Sequence, residues 1–135
     1  MEITKITKFT DTLATLLLPN GYEIRDGRVY NVETNKFAVL YSSDYGAGWS
    51  TWAEFDGSQY CPPVVALLLA GVDTSVPLST MHQIGEAIAE YYGEPYFNAA
   101  GLRHLEIEWV DRPYRITEYD GYESIEYQSE STWFY

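Results

Sequence analysis

An α+β fold, a mainly antiparallel sheet built from hairpins with about three helices packed mostly on one face, is what the sequence predicts. Three observations carry it. Two Asp-Gly pairs, Asp26-Gly27 and Asp120-Gly121, each sit between short segments of strand character, and Asp-Gly fits the positive φ values of a type I′ hairpin turn. The order along the chain is hairpins, then helices, then further strands, which is the order of α+β rather than of a parallel sheet. A length of 135 residues is that of a single globular domain (1–135), large enough to bury a core without disulfides or a structural metal.

Each element has its own local reason. Thr10 is placed to N-cap a helix over Asp11 to Leu18, with Asp11 in the first turn and Pro19-Asn20-Gly21 ending it. Tyr22 to Arg25 and Arg28 to Val32 flank the first Asp-Gly pair as a hairpin, and a turn at Glu33-Thr34-Asn35-Lys36 delivers the strand Phe37 to Ser42. Pro62-Pro63 opens a short apolar helix to Ala70 with Gly71 in the stop position. Ser79 or Thr80 is the expected cap of a longer helix ending at Tyr92 and Gly93. Strands His104 to Val110 and Tyr114 to Tyr119, joined through Asp111-Arg112-Pro113, are expected as neighbours, followed by Tyr122 to Gln128.

Composition narrows the class of partner. Eight Lys and Arg against twenty Asp and Glu give a formal charge of −12, which repels polyphosphate and speaks against direct nucleic-acid binding. A partner with a basic surface is the easier one, although the charge also serves solubility alone. From Glu106 onward there are eight acids and only two basic residues, Arg112 and Arg115. Thirteen tyrosines and an aromatic content of 16% are too much apolar surface for an acidic disordered chain. They are also hard to bury in one small domain, so a homo-oligomer is expected, with Trp133-Phe134-Tyr135 as the contact. The single cysteine, Cys61, fits a reducing compartment, and the apolar run Val64 to Ala70 is far too short to span a bilayer. A cytoplasmic protein with no membrane contact is expected.

The segment Asp44-Tyr45-Gly46-Ala47-Gly48-Trp49-Ser50-Thr51-Trp52 interrupts the orderly alternation of strand and turn. Glycine lets backbone approach a ligand or another chain closely, and Trp and Tyr offer wide apolar faces with a polar tip. Two readings stand side by side: Trp49 and Trp52 cap the core while Ser50 and Thr51 bond to backbone, or the loop is a recognition surface. The second adds Arg112 and Arg115, cations in an acidic background that suit a carboxylate or phosphate. The candidate interaction residues are therefore Asp44, Tyr45, Gly46, Gly48, Trp49, Ser50, Thr51, Trp52, Arg112 and Arg115.

Other constellations are weaker. Alternation puts Leu105, Ile107 and Trp109 on one face of their strand and His104, Glu106 and Glu108 on the other, a nominal metal set. Arg115 and Thr117 of the neighbouring strand are placed to lie across from those acids, and cross-strand charge pairing on a solvated face is the commoner arrangement, so no metal is expected, and no cofactor is expected either. Cys61 with His82 or His104 lacks an orienting third residue and reads as a structural thiol. Gly46-Ala47-Gly48 begins a dinucleotide fingerprint, but no glycine follows at the required place. No catalytic residue is assigned.

The segments Phe37 to Trp52, Leu105 to Val110 and Tyr114 to Glu123, carrying the run GAGWSTW and the late strands with Arg115-Ile116 and Glu118-Tyr119-Asp120-Gly121, resemble those of small uncharacterised proteins of tailed bacteriophages and prophages. The similarity covers about half the chain. The link before Arg115-Ile116 departs from that pattern, being Asp111-Arg112-Pro113 here rather than longer and glycine-containing. The resemblance implies a phage accessory protein acting in the bacterial cytoplasm, and by analogy a counter-defence factor. Such a protein would occlude a host protein or sequester a small anionic or nucleotide ligand without catalysis. Two alternatives remain open: an acidic nucleic-acid mimic that blocks the basic groove of a host nuclease, and a small enzyme.

Overall fold

The computed structural model describes residues 8–127. Helix α1 (Asp11–Leu17) leads into strands β1 (Tyr22–Arg25), β2 (Arg28–Asn31) and β3 (Lys36–Ser42). Helices α2 (Pro62–Leu69) and α3 (Leu78–Tyr92) follow, then β4 (Leu105–Val110), β5 (Tyr114–Tyr119) and β6 (Tyr122–Tyr127). The strands form one four-stranded antiparallel sheet, in the order β1-β2-β3-β4, and a separate antiparallel ribbon of β5 and β6. The fold is α+β, as the order of turn and helix signals predicts.

Local chemistry sets most of the boundaries. The Thr10 hydroxyl accepts from Leu13 N at 3.0 Å and satisfies a donor that the first turn of α1 leaves over. Asp26 and Gly27 take φ of 52° and 72°, the left-handed pair a type I′ turn needs. Asn31 Oδ1 accepts from Glu33 N and Thr34 N to shape the turn into β3. Helix α2 starts on Pro62-Pro63, whose missing N–H groups cost nothing in the first turn. Helix α3 begins earlier than Ser79 or Thr80 would have set it. Pro77, with φ −61° and ψ 159°, holds the entry, and its carbonyl accepts from Thr80 N and Met81 N.

Register fixes what each sheet face does. Ala38 lies opposite Trp109, Leu40 opposite Ile107 and Ser42 opposite Leu105, so these residues share one face. That face carries the core: Val29, Ala38, Leu40 and Leu105 pack with Val64, Val65 and Leu67 of α2 and Ile84 and Ile88 of α3. The alternate face holds Phe37, Val39, Tyr41, Glu106, Glu108 and Val110, of which Val39 and Val110 are buried outside that cluster.

The β5–β6 ribbon closes over part of this second face. Tyr127 Oη donates to Glu108 at 3.0 Å, and the hydroxyls of Tyr114 and Tyr60 meet at 2.5 Å. Here the structure corrects two expectations. Strand β4 pairs with β3 and not with β5, so Arg115 and Thr117 do not lie across from Glu106 and Glu108. They lie opposite Glu126 and Ser124 instead. Pro113 has no N–H to donate to a ladder, and the Asp111-Arg112-Pro113 link turns the chain out of the sheet instead of into a hairpin. Gln128 and the aromatic end Trp133-Phe134-Tyr135 lie outside the described residues.

Candidate functional site

The loop after β3 is organised around a side chain that lies more than seventy positions later in the sequence. Glu123, on β6, is fully buried. Its Oε1 accepts from Ser42 N at 2.8 Å, and its Oε2 accepts from Trp49 N at 2.9 Å and Thr51 N at 3.1 Å. The Thr51 hydroxyl donates to the same oxygen. Four donors on one carboxylate replace the water it gave up on burial. They also pin both ends of the segment between Ser42 and Thr51, which then turns through a 3-10 helix at Ser50–Trp52.

Glycines allow the close approaches this clasp demands. A Cβ on Gly121, whose φ is +86°, would come within 2.5 Å of Ala47 N, and a Cβ on Gly101 within 2.6 Å of the Gly48 carbonyl oxygen. Gly46 N donates to the Asp120 carbonyl at 2.8 Å, tying the loop to the turn of the ribbon.

The predicted site residues separate into three groups. Trp49 is in the core, its Nε1 donating to the Ser58 carbonyl at 3.0 Å and its ring meeting Phe97 edge to face at 4.7 Å. With no exposed surface it offers no stacking face, and Gly48 beside it is buried as well. Asp44, Tyr45 and Gly46 are exposed at the tip, where the Tyr45 ring lies 6.4 Å from that of Tyr119 and 5.2 Å from that of Tyr122. Trp52 is also exposed. Ser50, Thr51, Arg112 and Arg115 line a groove of about 710 Å³ between the ribbon and the second face of the sheet.

That groove contains a third arginine that no sequence motif marks. Arg28, the first residue of β2, lines it beside Phe37, Tyr60 and Tyr114. Its guanidinium lies 4.4 Å from the Phe37 ring centroid and 4.0 Å from that of Tyr60. Its Nε and Nη2 are shielded from solvent and have no hydrogen-bond partner among the described residues. The other two arginines have carboxylates close by, Arg112 with Asp111 at 3.3 Å and Arg115 with Glu126 at 2.6 Å, all partly exposed. Nothing local marked Arg28, which stands in sequence as an ordinary hairpin residue after Asp26-Gly27.

The remaining candidates have structural partners. His104 leans on Asp44 at 3.6 Å rather than on Glu106 or Glu108, and among the described residues no three His, Cys, Asp or Glu converge where a metal could be held. Burial pushes the Cys61 thiol up to about 12, with Tyr92 beside it, so it stays protonated near neutrality. Burial and the adjacent Tyr60 hydroxyl raise the Tyr114 phenol, which keeps the groove wall uncharged. Among the described residues no helix is long and apolar enough to cross a membrane. No family model, curated protein or solved structure matches this chain.

Proposed function

We propose that this chain is a non-enzymatic accessory binding protein of a tailed bacteriophage or prophage that acts in the bacterial cytoplasm by holding a small anionic ligand in the groove. The observation that supports the reading is the convergence of Arg28, Arg112 and Arg115, three of the eight Lys and Arg in a chain of net charge −12, on one aromatic-lined groove. An acidic protein gathers cations in one concave place against its own average, and guanidinium groups suit carboxylate and phosphate. The phage setting and the counter-defence role rest on the resemblance carried by the GAGWSTW loop and the late strands.

A second reading, occlusion of a host protein with a basic surface, is favoured by the exposed ring cluster Tyr45, Tyr119 and Tyr122 next to Asp44 and Asp120. Tyrosine rings flanked by carboxylates suit Lys and Arg of a partner. The two readings use opposite ends of the same loop.

An NMR titration with inorganic phosphate, adenosine monophosphate and benzoate tests the first. Shifts gathered on Arg28, Tyr60 and Tyr114 are the expected result. Spectra that no anion moves at millimolar concentration would overturn it.

A further inference from the structure

The groove's charge and the geometry of Arg28 say which anion it takes. Of the charged residues that line it, Arg28, Arg112 and Arg115 are positive and Asp56 and Asp111 negative, and Glu126 beside Arg115 offsets the remaining charge. Arg112 and Arg115 already have carboxylates beside them. A polyphosphate brings several charges to a place where Arg28 is the lining arginine with no carboxylate beside it among the described residues, and the two aspartates repel the excess.

The two nitrogens of Arg28 that lack partners among the described residues are Nε and Nη2. On a guanidinium these two carry parallel N–H bonds along one edge, the side-on fork that matches the two oxygens of a carboxylate. The Phe37 and Tyr60 rings lie 4.4 Å and 4.0 Å from the guanidinium carbon and hold the group against aromatic surface, and the N–H bonds of a guanidinium lie in its own plane. Shielding from water makes a charge-assisted pair there stronger than the same pair at the surface. Reaching that edge requires a lining side chain to rotate, a movement that the bidentate bond would drive. Phe55 and Tyr114 give the rest of the groove apolar surface for a ring next to the anion.

Resting on the groove reading above, we propose that the ligand is a planar monocarboxylate attached to an aromatic or apolar group, seated edge-on against Nε and Nη2 of Arg28. Two sources share that chemistry, a free aromatic acid and the C-terminal residue of a peptide.

The test follows the Arg28 Nε–H resonance of the full chain while four probes are added: benzoate, N-acetylphenylalanine, N-acetylphenylalaninamide and adenosine triphosphate. Benzoate or N-acetylphenylalanine is expected to shift the resonance and slow its exchange with water, the better of the two naming the source. The uncharged amide and the triphosphate are expected to bind at least tenfold more weakly. Arg28→Lys, which keeps the charge and removes the fork, should lower carboxylate affinity by tenfold or more. Should Arg28→Lys fail to fold, the wild-type resonance alone decides. Triphosphate binding as tightly as the carboxylates, or full affinity in a folded Arg28→Lys variant, would overturn the carboxylate assignment and leave the groove reading standing. Silence with every anion would overturn both.

Discussion

Glu123 Oε2 accepts the backbone N–H of Trp49 at 2.9 Å, a bond that joins the last described strand to the loop leaving β3 across 74 positions of sequence. It is one of four donors to a carboxylate with no solvent exposure. Glu123→Ala strands three backbone N–H groups, each costing about 1–3 kcal/mol when buried without an acceptor. A loss of about 3–5 kcal/mol in urea unfolding is the expected outcome. Glu123→Gln keeps one acceptor oxygen but turns an amide donor towards other donors, and should lose less. An alanine variant within 1 kcal/mol of wild type would mean that water enters and replaces the carboxylate.

Trp49→Ala should destabilise the whole domain. Truncating a fully buried Trp that packs on Phe97 and bonds to Ser58 costs about 3–5 kcal/mol, a large share of the stability of a small domain. Chemical denaturation followed by circular dichroism measures it. Retained stability with loss of ligand would return Trp49 to the recognition surface.

Arg115→Ala should behave in the opposite way. Its side chain is well exposed and its bond to Glu126 is at the surface, where such a pair contributes about 0–1 kcal/mol. The melting temperature should move little while anion affinity in the groove falls several-fold. Equal affinity in the variant would remove Arg115 from recognition and leave it to Arg28 and Arg112.

Alkaline pH should loosen the fold before other chemistry begins. Burial raises Cys61 from 9.0 to about 12, and burial with Glu108 beside it raises Tyr127 from 10.0 to about 12. Tyr91 and Tyr92 also move upward, again first through burial. Because the unfolded chain loses these protons first, it binds fewer protons than the native state above pH 9, and stability falls as pH rises. The contribution is whole below about pH 9 and is lost by degrees towards pH 12. Urea midpoints measured from pH 8 to pH 11 should fall steadily, and Cys61→Ala should remove part of the slope. In native protein at neutral pH, Cys61 should resist iodoacetamide.

The two Asp-Gly hairpins, the three helices and the α+β class were legible because each rests on a local rule: the Thr10 cap, the Asp-Gly turn at Asp26, the Pro62-Pro63 start, the glycine stop at Gly93. The alternation in β4 also assigned the core face correctly, with Leu105 buried and Ile107 and Trp109 packed against the core. What stayed hidden was non-local. Glu123 stands in an acidic hairpin beside Glu118 and Glu126, and only the fold distinguishes the one that turns inward. Arg28 gains its meaning from Phe37 and Tyr60, residues of two other elements. The loop from Asp44 to Trp52 divides between core, tip and groove, a split that composition does not encode.

Among the described residues the β5–β6 ribbon shares no strand ladder with the four-stranded sheet, and what ties it to the rest includes the Glu123 bonds, the Tyr114–Tyr60 and Tyr127–Glu108 contacts, the rings of Tyr45, Tyr119 and Tyr122 and the backbone bond from Gly46 to Asp120. A piece attached mostly through side chains is a natural unit of partial opening, able to swing away while the sheet and its helices persist. The groove takes its walls from both pieces, with Arg28 and Phe37 on the sheet and Tyr114 and Arg115 on the ribbon. Whatever bridges them lowers the population of the open form in proportion to its concentration over its Kd. Amide exchange in the ribbon is therefore a built-in gauge of occupancy, slowing as the groove fills and reporting on a ligand without any need to know its name.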